Sequence, residues 1–367
     1  MAEIGPNTRL RASPYHAATL EAGATAFTPY NNMLLPVSYG DPMAEYRRLM
    51  EGVSQWDVAV QRQVELAGRD AAALVQMLCA RDLSTCAVGQ GRYAPVCDHR
   101  GVLLNDPVVL KLAEDRFWLS IGDNNIRMWA RAIASERRLD VRIDEPDVSP
   151  MAIQGPRSDD VAAAIFGDWV RALRPFRFEE TQVQGIPLTL ARSGYSKQGG
   201  FELYLMDGAR GGELWNIVRE AGGPWDIGPG APNVTERIES GLLSYGGDTD
   251  DLTNPFEVRL DRFVSLDVDD DVLGIQALRR VKAQGARRRQ LGVMLDEQGP
   301  QPGHAVWHDV FRDGRRVGSM TNGAWSPRVG TMIGYVLVEA SVQPGERVEV
   351  DRHGRRDAGV TCELPFF

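Results

Sequence analysis

Alternation of apolar and polar side chains is sharpest between residues 188 and 205, where two strand-like runs, 188–192 and 201–205, enclose the glycine-rich turn Ser193-Gly-Tyr-Ser-Lys-Gln-Gly-Gly200. In the second run Phe201, Leu203 and Leu205 share one face, and Glu202 and Tyr204 share the other, because strand side chains alternate. Such a face offers a carboxylate acceptor and an aromatic ring to a donor-rich heterocycle. The same pattern also describes a hairpin with a polar outer surface.

The remaining periodicities alternate irregularly between helix and strand. Residues 9–36 lack a long helical period and read as an extended arm; Tyr15, Phe27, Tyr30 and Met33 are its candidate pocket or core residues. Met43, Tyr46, Leu49 and Met50 mark a helix from Pro42, followed by a strand at 63–67 and a helix capped by Asp70 with Ala73, Leu74, Met77 and Leu78 inward. Residues 91–101 and 102–112 read as one strand, a turn closed by Asp98 and Gly101, and a returning strand. Strands at 117–121, 141–145 and 149–154 and helices at 123–135, 159–166, 211–221 and 234–245 follow, with Gly/Pro-rich loop at 225–233. From Gln290 onward five short runs, 292–295, 306–311, 316–321, 332–338 and 347–350, form a small barrel or sandwich. The class is α+β. The change in pattern divides the chain into an α+β region, 1–285, and a C-terminal β domain, 286–367, with the basic stretch 279–289 as linker.

Composition narrows the function. A 367-residue chain that is 43% hydrophobic can bury a large core, and no apolar run reaches membrane-spanning length. With no apolar signal segment in residues 1–11, a cytoplasmic protein without a membrane partner is expected. A formal charge of −9 opposes a nucleic-acid surface. Cys79, Cys86, Cys97 and Cys362 have neither metal nor redox spacing and read as reduced thiols. No metal is expected: His304 and His308 lack a third carboxylate ligand, and the acidic run 267–271 has Val272 and Leu278 where a calcium loop needs Gly and Glu. The turn 194–199 is neither a nucleophile elbow nor a phosphate loop. These residues point to a soluble α+β enzyme with an aromatic-lined pocket.

Several segments add a resemblance. Arg192-Ser-Gly-Tyr195 through Gly200-Phe-Glu202, Met151-Ala-Ile-Gln-Gly-Pro156 and Thr321-Asn-Gly-Ala-Trp-Ser-Pro327 resemble the aminomethyltransferase, or glycine cleavage T-protein, family of folate-dependent enzymes. Tyr30-Asn-Asn-Met-Leu-Leu-Pro36, Trp56-Asp-Val58 with Arg62-Gln-Val-Glu65, Leu104-Asn-Asp-Pro-Val108, Ser196-Lys-Gln-Gly-Gly200, Glu236-Arg-Ile-Glu-Ser240 and Leu243-Ser-Tyr-Gly246 resemble its dimethylsulfoniopropionate demethylase branch. The resemblance implies a three-part cloverleaf around tetrahydrofolate, with methyl transfer from a small sulfonium to N5 of the cofactor. It implies Tyr93, Glu202, Tyr204 and Arg237 as cofactor-binding residues, Glu202 being the pterin-binding carboxylate. Tyr204 and Asp106 are the implied catalytic residues, and Tyr15, Tyr30, Asn32 and Tyr195 surround the methyl donor.

A pterin presents neighbouring N–H donors that one carboxylate can accept at charge-assisted strength. The aromatic faces of Tyr15, Tyr195 and Tyr204 suit a cation. Tyr195 stands where the demethylase branch has Trp, and Asn32 where it has His, so the donor can differ from dimethylsulfoniopropionate. Asn105-Asp106 stands where T-proteins have paired Asp, which weakens an aminomethyl reading. The alternatives are demethylation of a betaine or a methoxyaryl compound, and a non-catalytic folate-binding regulatory or repair protein. The expected partner is a small-molecule methyl donor, with a homodimer allowed.

Overall fold

The structure, a computed structural model, describes residues 5–296, 306–352 and 354–367. The chain separates into two compact units: one holds residues up to Val75, Leu83–Tyr93 and Pro107–Asn233, the other Gln76–Asp82, Ala94–Asp106 and Val234–Phe367. Mixed helix and strand content bears out the α+β class.

In the first unit, a six-stranded sheet runs in the order Phe178–Val183, Ile186–Ala191, Gly200–Leu205, Ser149–Gln154, Ser54–Asp57, Gly228–Gly230. Only Gly228–Gly230 pairs parallel, to Ser54–Asp57, so the 225–233 segment is not wholly loop. A five-stranded antiparallel sheet runs Arg142–Asp144, Gln63–Ala67, Arg116–Ser120, Val108–Ala113, Gln90–Tyr93. Phe201, Leu203 and Leu205 enter the core with Val161 and Ala162 of helix Ser158–Phe166 and Leu214, Trp215 and Val218 of helix Gly211–Ala221. The opposite face of the same strand places Tyr204 in a second apolar cluster with Leu110, Trp118, Phe178 and Ala191. Both faces of Gly200–Leu205 are therefore buried, which removes the polar-surface reading of the hairpin.

The opening segment is more regular than its sequence suggests. A short helix, His16–Glu21, precedes the hairpin Ala26–Tyr30 and Met33–Ser38. Its two-residue turn is Asn31-Asn32, with φ of 49° and 59°, the left-handed pair that asparagine tolerates and a two-residue hairpin favours.

The predicted single hairpin across 91–112 is two. Gln90–Tyr93 pairs with Val108–Ala113, while Val96–Cys97 pairs with Leu103–Asn105 in the other unit. Pro95 and Pro107 interrupt the ladder between them, since neither can donate an N–H. Asp98 closes the turn as expected: its Oδ1 accepts from the amides of Arg100 and Val102, and Gly101 has φ +78°.

The second unit contains a closed barrel, in the order Arg288–Leu295, Thr331–Glu339, Arg315–Ser326, His308–Arg312, Arg347–Arg352, Arg355–Cys362. Its sixth strand escapes sequence analysis because its inward positions are Asp357, Gly359 and Thr361 rather than apolar residues. Helix Val234–Glu239 is half the predicted length. Gly241, at φ +71°, ends it, and the Tyr335 hydroxyl donates to the carbonyl of Arg237 at 2.7 Å. The 279–289 stretch is not a linker throughout, because helix Ile275–Gln284 runs into it and stops at Gly285, φ +85°.

Candidate functional site

Glu202 sits mid-strand, opposite Ala191 on one neighbour and Ala152 on the other. Two alanines leave room above the carboxylate, although the residue is only 5% exposed. Ser193, from the turn, donates its hydroxyl to Glu202 Oε2, and the Tyr204 hydroxyl donates to the same oxygen at 3.2 Å. Both bonds fall on Oε2, and among the described residues nothing donates to Oε1. Burial pushes the Glu202 carboxyl above its ordinary range, against the pull of the two hydroxyls.

A chain of donors stands behind that carboxylate. Gln63 Nε2 donates to Ser120 Oγ at 3.0 Å, and Ser120 in turn hydrogen-bonds the Tyr204 phenol. Burial and the neighbouring Glu202 charge raise the Tyr204 pKa well above 10, so the phenol keeps its proton and remains a donor. The Trp118 ring lies 6.2 Å from that of Tyr204, tilted by 36°. Glu65 fixes the indole by accepting its N–H at 2.9 Å and is itself held by Arg116 and Arg142.

The turn is clamped by Gln154, a fully buried side chain. Its amide donates to the Ser193 carbonyl at 3.2 Å and accepts the Ser196 hydroxyl at 2.7 Å. A Cβ on Gly194 would meet that amide at 2.0 Å, and one on Gly200 at 2.2 Å, so glycine is required where the turn passes over Gln154.

The predicted residues divide between the two units. Tyr93, Glu202, Tyr204, Tyr15, Tyr30, Asn32 and Tyr195 belong to the first, Asp106 and Arg237 to the second. Within the first, Glu202 and Tyr204 are in contact. Tyr93 is half-buried at the end of its strand, and Tyr195 is half-buried in the turn. Tyr15 lies in the core, 0% exposed, 6.3 Å from the Trp215 ring, with its hydroxyl donated to the Ser149 carbonyl at 2.7 Å. Tyr30 ends its strand half-buried. Asn32 is exposed, whereas Asn31 is buried and donates to the carbonyls of Val60 and Gly122 at 3.0 and 2.9 Å.

In the second unit, Arg237 forms a buried ion pair with Asp248 at 2.8 Å, its guanidinium 5.5 Å from the Tyr335 ring centre. Thr321 and Asn322 also donate to Asp248, at 2.9 and 2.8 Å, which places that sequence motif in the same network. Asp106 is half-buried, and its amide donates to Asn105 Oδ1 at 3.0 Å.

Sequence reasoning missed Ser193, Ser120, Trp118 and Gln154. Trp118 and Ser120 share the alternate positions of one strand, a signal that could have paired them. It also missed Asp57, whose buried carboxylate accepts the Ser13 hydroxyl at 2.5 Å and the Ala59 amide at 3.1 Å and is pushed up to about 6 by burial. Among the described residues no group of three or more His, Cys, Asp or Glu could hold a metal ion; His304 lies outside them, and His308 is buried. Among the same residues no helix is long and apolar enough to cross a membrane.

Comparison with known proteins adds independent findings. The GCVT N-terminal domain model matches residues 15–268, and the glycine cleavage T-protein C-terminal barrel domain model matches 288–367. Dimethylsulfoniopropionate demethylase DmdA of Ruegeria pomeroyi is 41% identical over 352 residues, covering 96% of each chain. An aminomethyltransferase of Symbiobacterium thermophilum is 32% identical over 378 residues, covering 98% of each. The crystal structure of glycine cleavage system aminomethyltransferase T from Bartonella henselae superposes with a TM-score of 0.82 at 22% identity, covering 97% of this chain and 98% of that one, a likeness of fold.

Proposed function

This chain belongs to the glycine cleavage T-protein family, and from that premise we propose that it moves a methyl group from a small sulfonium, such as dimethylsulfoniopropionate, to N5 of tetrahydrofolate. The observation that carries the proposal is Glu202: a buried carboxylate that, among the described residues, takes both of its hydrogen bonds on one oxygen and leaves the other open. That arrangement fits a pterin edge, because Oε1 accepts an N–H while Ser193 and Tyr204 hold the group in place. Bound tetrahydrofolate would supply the nucleophilic nitrogen.

The protein's part is alignment and exclusion of water. A sulfonium departs as a neutral sulfide, so no strong general acid is needed. Tyr204 accordingly serves as a fixed donor to Glu202 and an aromatic wall rather than as an acid. Tyr195, half-buried in the clamped turn, offers a ring to the cationic donor, a contact of about 0.5–2 kcal/mol. The greater identity to the demethylase, 41% against 32%, supports methyl over aminomethyl transfer, as does Asn105 beside Asp106 in place of paired acids. A quaternary amine is the second reading of the donor, since the Tyr195 ring suits either cation.

Incubation with tetrahydrofolate and a panel of sulfonium, betaine and methoxyaryl donors, followed by chromatography of 5-methyltetrahydrofolate, tests the proposal. Methylation from dimethylsulfoniopropionate is expected. Folate binding with no methylation from any donor would refute the enzyme reading.

A further inference from the structure

The second unit contains an open cleft of about 390 Å³ between the end of helix Ile275–Gln284 and the start of strand Arg288–Leu295. Its lining combines an apolar wall, Phe256, Val281 and Ala286, with charged groups. Three of those six charges are paired: Glu257 accepts from Arg288, outside the lining, at 2.9 Å, and Arg289 pairs with Glu363 at 3.2 Å. Three are not. Arg259 is only partly exposed and, among the described residues, bonds no carboxylate; its guanidinium donates to the Gly241 carbonyl at 3.3 Å. Lys282 makes no ion pair among the described residues and stands 5.6 Å from the centre of the Phe256 ring. Asp261 is exposed and also without an ion pair among the described residues. The unspent charge is therefore one net positive.

Two further observations bear on this cleft. Gln290, which lines it, is 4% exposed, and its amide nitrogen is occluded with no hydrogen-bond partner among the described residues. Such a group destabilises the fold unless something satisfies it. Arg259 also holds φ +62°, a left-handed conformation costly for a side chain of that size. An orphaned buried amide and a half-buried arginine with left-handed backbone thus line the same cleft.

We propose that this cleft binds a small organic monocarboxylate. Its carboxylate lies between Arg259, Lys282 and the Gln290 amide, which turns its NH₂ outward, and its hydrocarbon part lies on Phe256, Val281 and Ala286. One net positive charge with an apolar wall suits a monoanion better than a phosphate dianion, which Asp261 would repel. The site is independent of the methyl-transfer reading, since it is read by binding alone.

The test titrates butanoate, butylammonium and inorganic phosphate into the full-length protein, reading melting temperature and saturation-transfer NMR. Butanoate is expected to bind and to raise the melting temperature, and butylammonium is not. Lys282→Gln, an exposed substitution, should weaken butanoate at least about threefold. Gln290→Leu should abolish binding while raising the melting temperature of the ligand-free protein, because it removes the orphaned amide. Equal effects of butanoate and butylammonium, tighter binding of phosphate than butanoate, or unchanged butanoate binding in both variants would each overturn the proposal.

Discussion

Asp57→Asn isolates the cost of a buried charge. The Asp57 carboxyl is raised from 3.8 to about 6, chiefly by burial, with the Ser13 hydroxyl and Ala59 amide pulling it back. A carboxyl whose folded pKa exceeds its unfolded one favours the folded state while protonated, and that stability is lost as pH rises through the folded value. Between the two pKa values the full linkage is about 3 kcal/mol, and between pH 5 and 7.5 it is about 1.4 kcal/mol. Asparagine keeps an acceptor for the Ala59 amide and a group able to bond Ser13, but it does not titrate. The melting-temperature difference, variant minus wild type, is therefore expected to grow between pH 5 and 7.5 by roughly 3–6 °C, at about 2–4 °C per kcal/mol for a unit of this size. Differential scanning calorimetry of both proteins across that range measures it. A difference that stays flat with pH, or shrinks as pH rises, would refute the assignment of a raised pKa to Asp57.

Three other outcomes follow from the same geometry. Gly200→Ala drives a Cβ to 2.2 Å from Gln154 Nε2 and 2.3 Å from the Ile153 carbonyl, so it should cost roughly 1–3 kcal/mol by thermal melts. Arg237→Met leaves Asp248, 0% exposed, without its cation; urea unfolding should show a loss of about 3–5 kcal/mol. Folate affinity, followed by fluorescence, should fall as pH drops, at a pH above the ordinary Glu value of 4.5, because the raised Glu202 carboxyl protonates early.

What the sequence made legible depended on whether a local pattern decided the outcome. The split of Phe201, Leu203 and Leu205 from Glu202 and Tyr204 followed from strand alternation alone, and the structure keeps it. Five barrel strands were visible through their apolar inward faces, while Arg355–Cys362 turns Asp357, Gly359 and Thr361 inward and shows no such face. The over-long helix from Val234 ignored Gly241 and the Tyr335 hydroxyl, which comes from a strand 98 residues away from Arg237. Asn31 rather than Asn32 is the anchored residue of its turn, a distinction set by Val60 and Gly122 and invisible in two identical letters. Likewise, no sequence pattern connects Ser193, Ser120 and Gln63 to Glu202; folding brings them to one face.

The most direct measurement is calorimetric titration of tetrahydrofolate into wild type and Glu202→Gln at pH 7.5. Glutamine retains the shape and loses the charge, and with it about 2–3 kcal/mol of charge-assisted bonding to a pterin edge, so affinity should drop roughly 30- to 150-fold while the melting temperature holds or rises. Equal affinity in the two proteins would contradict the placement of the pterin on Glu202.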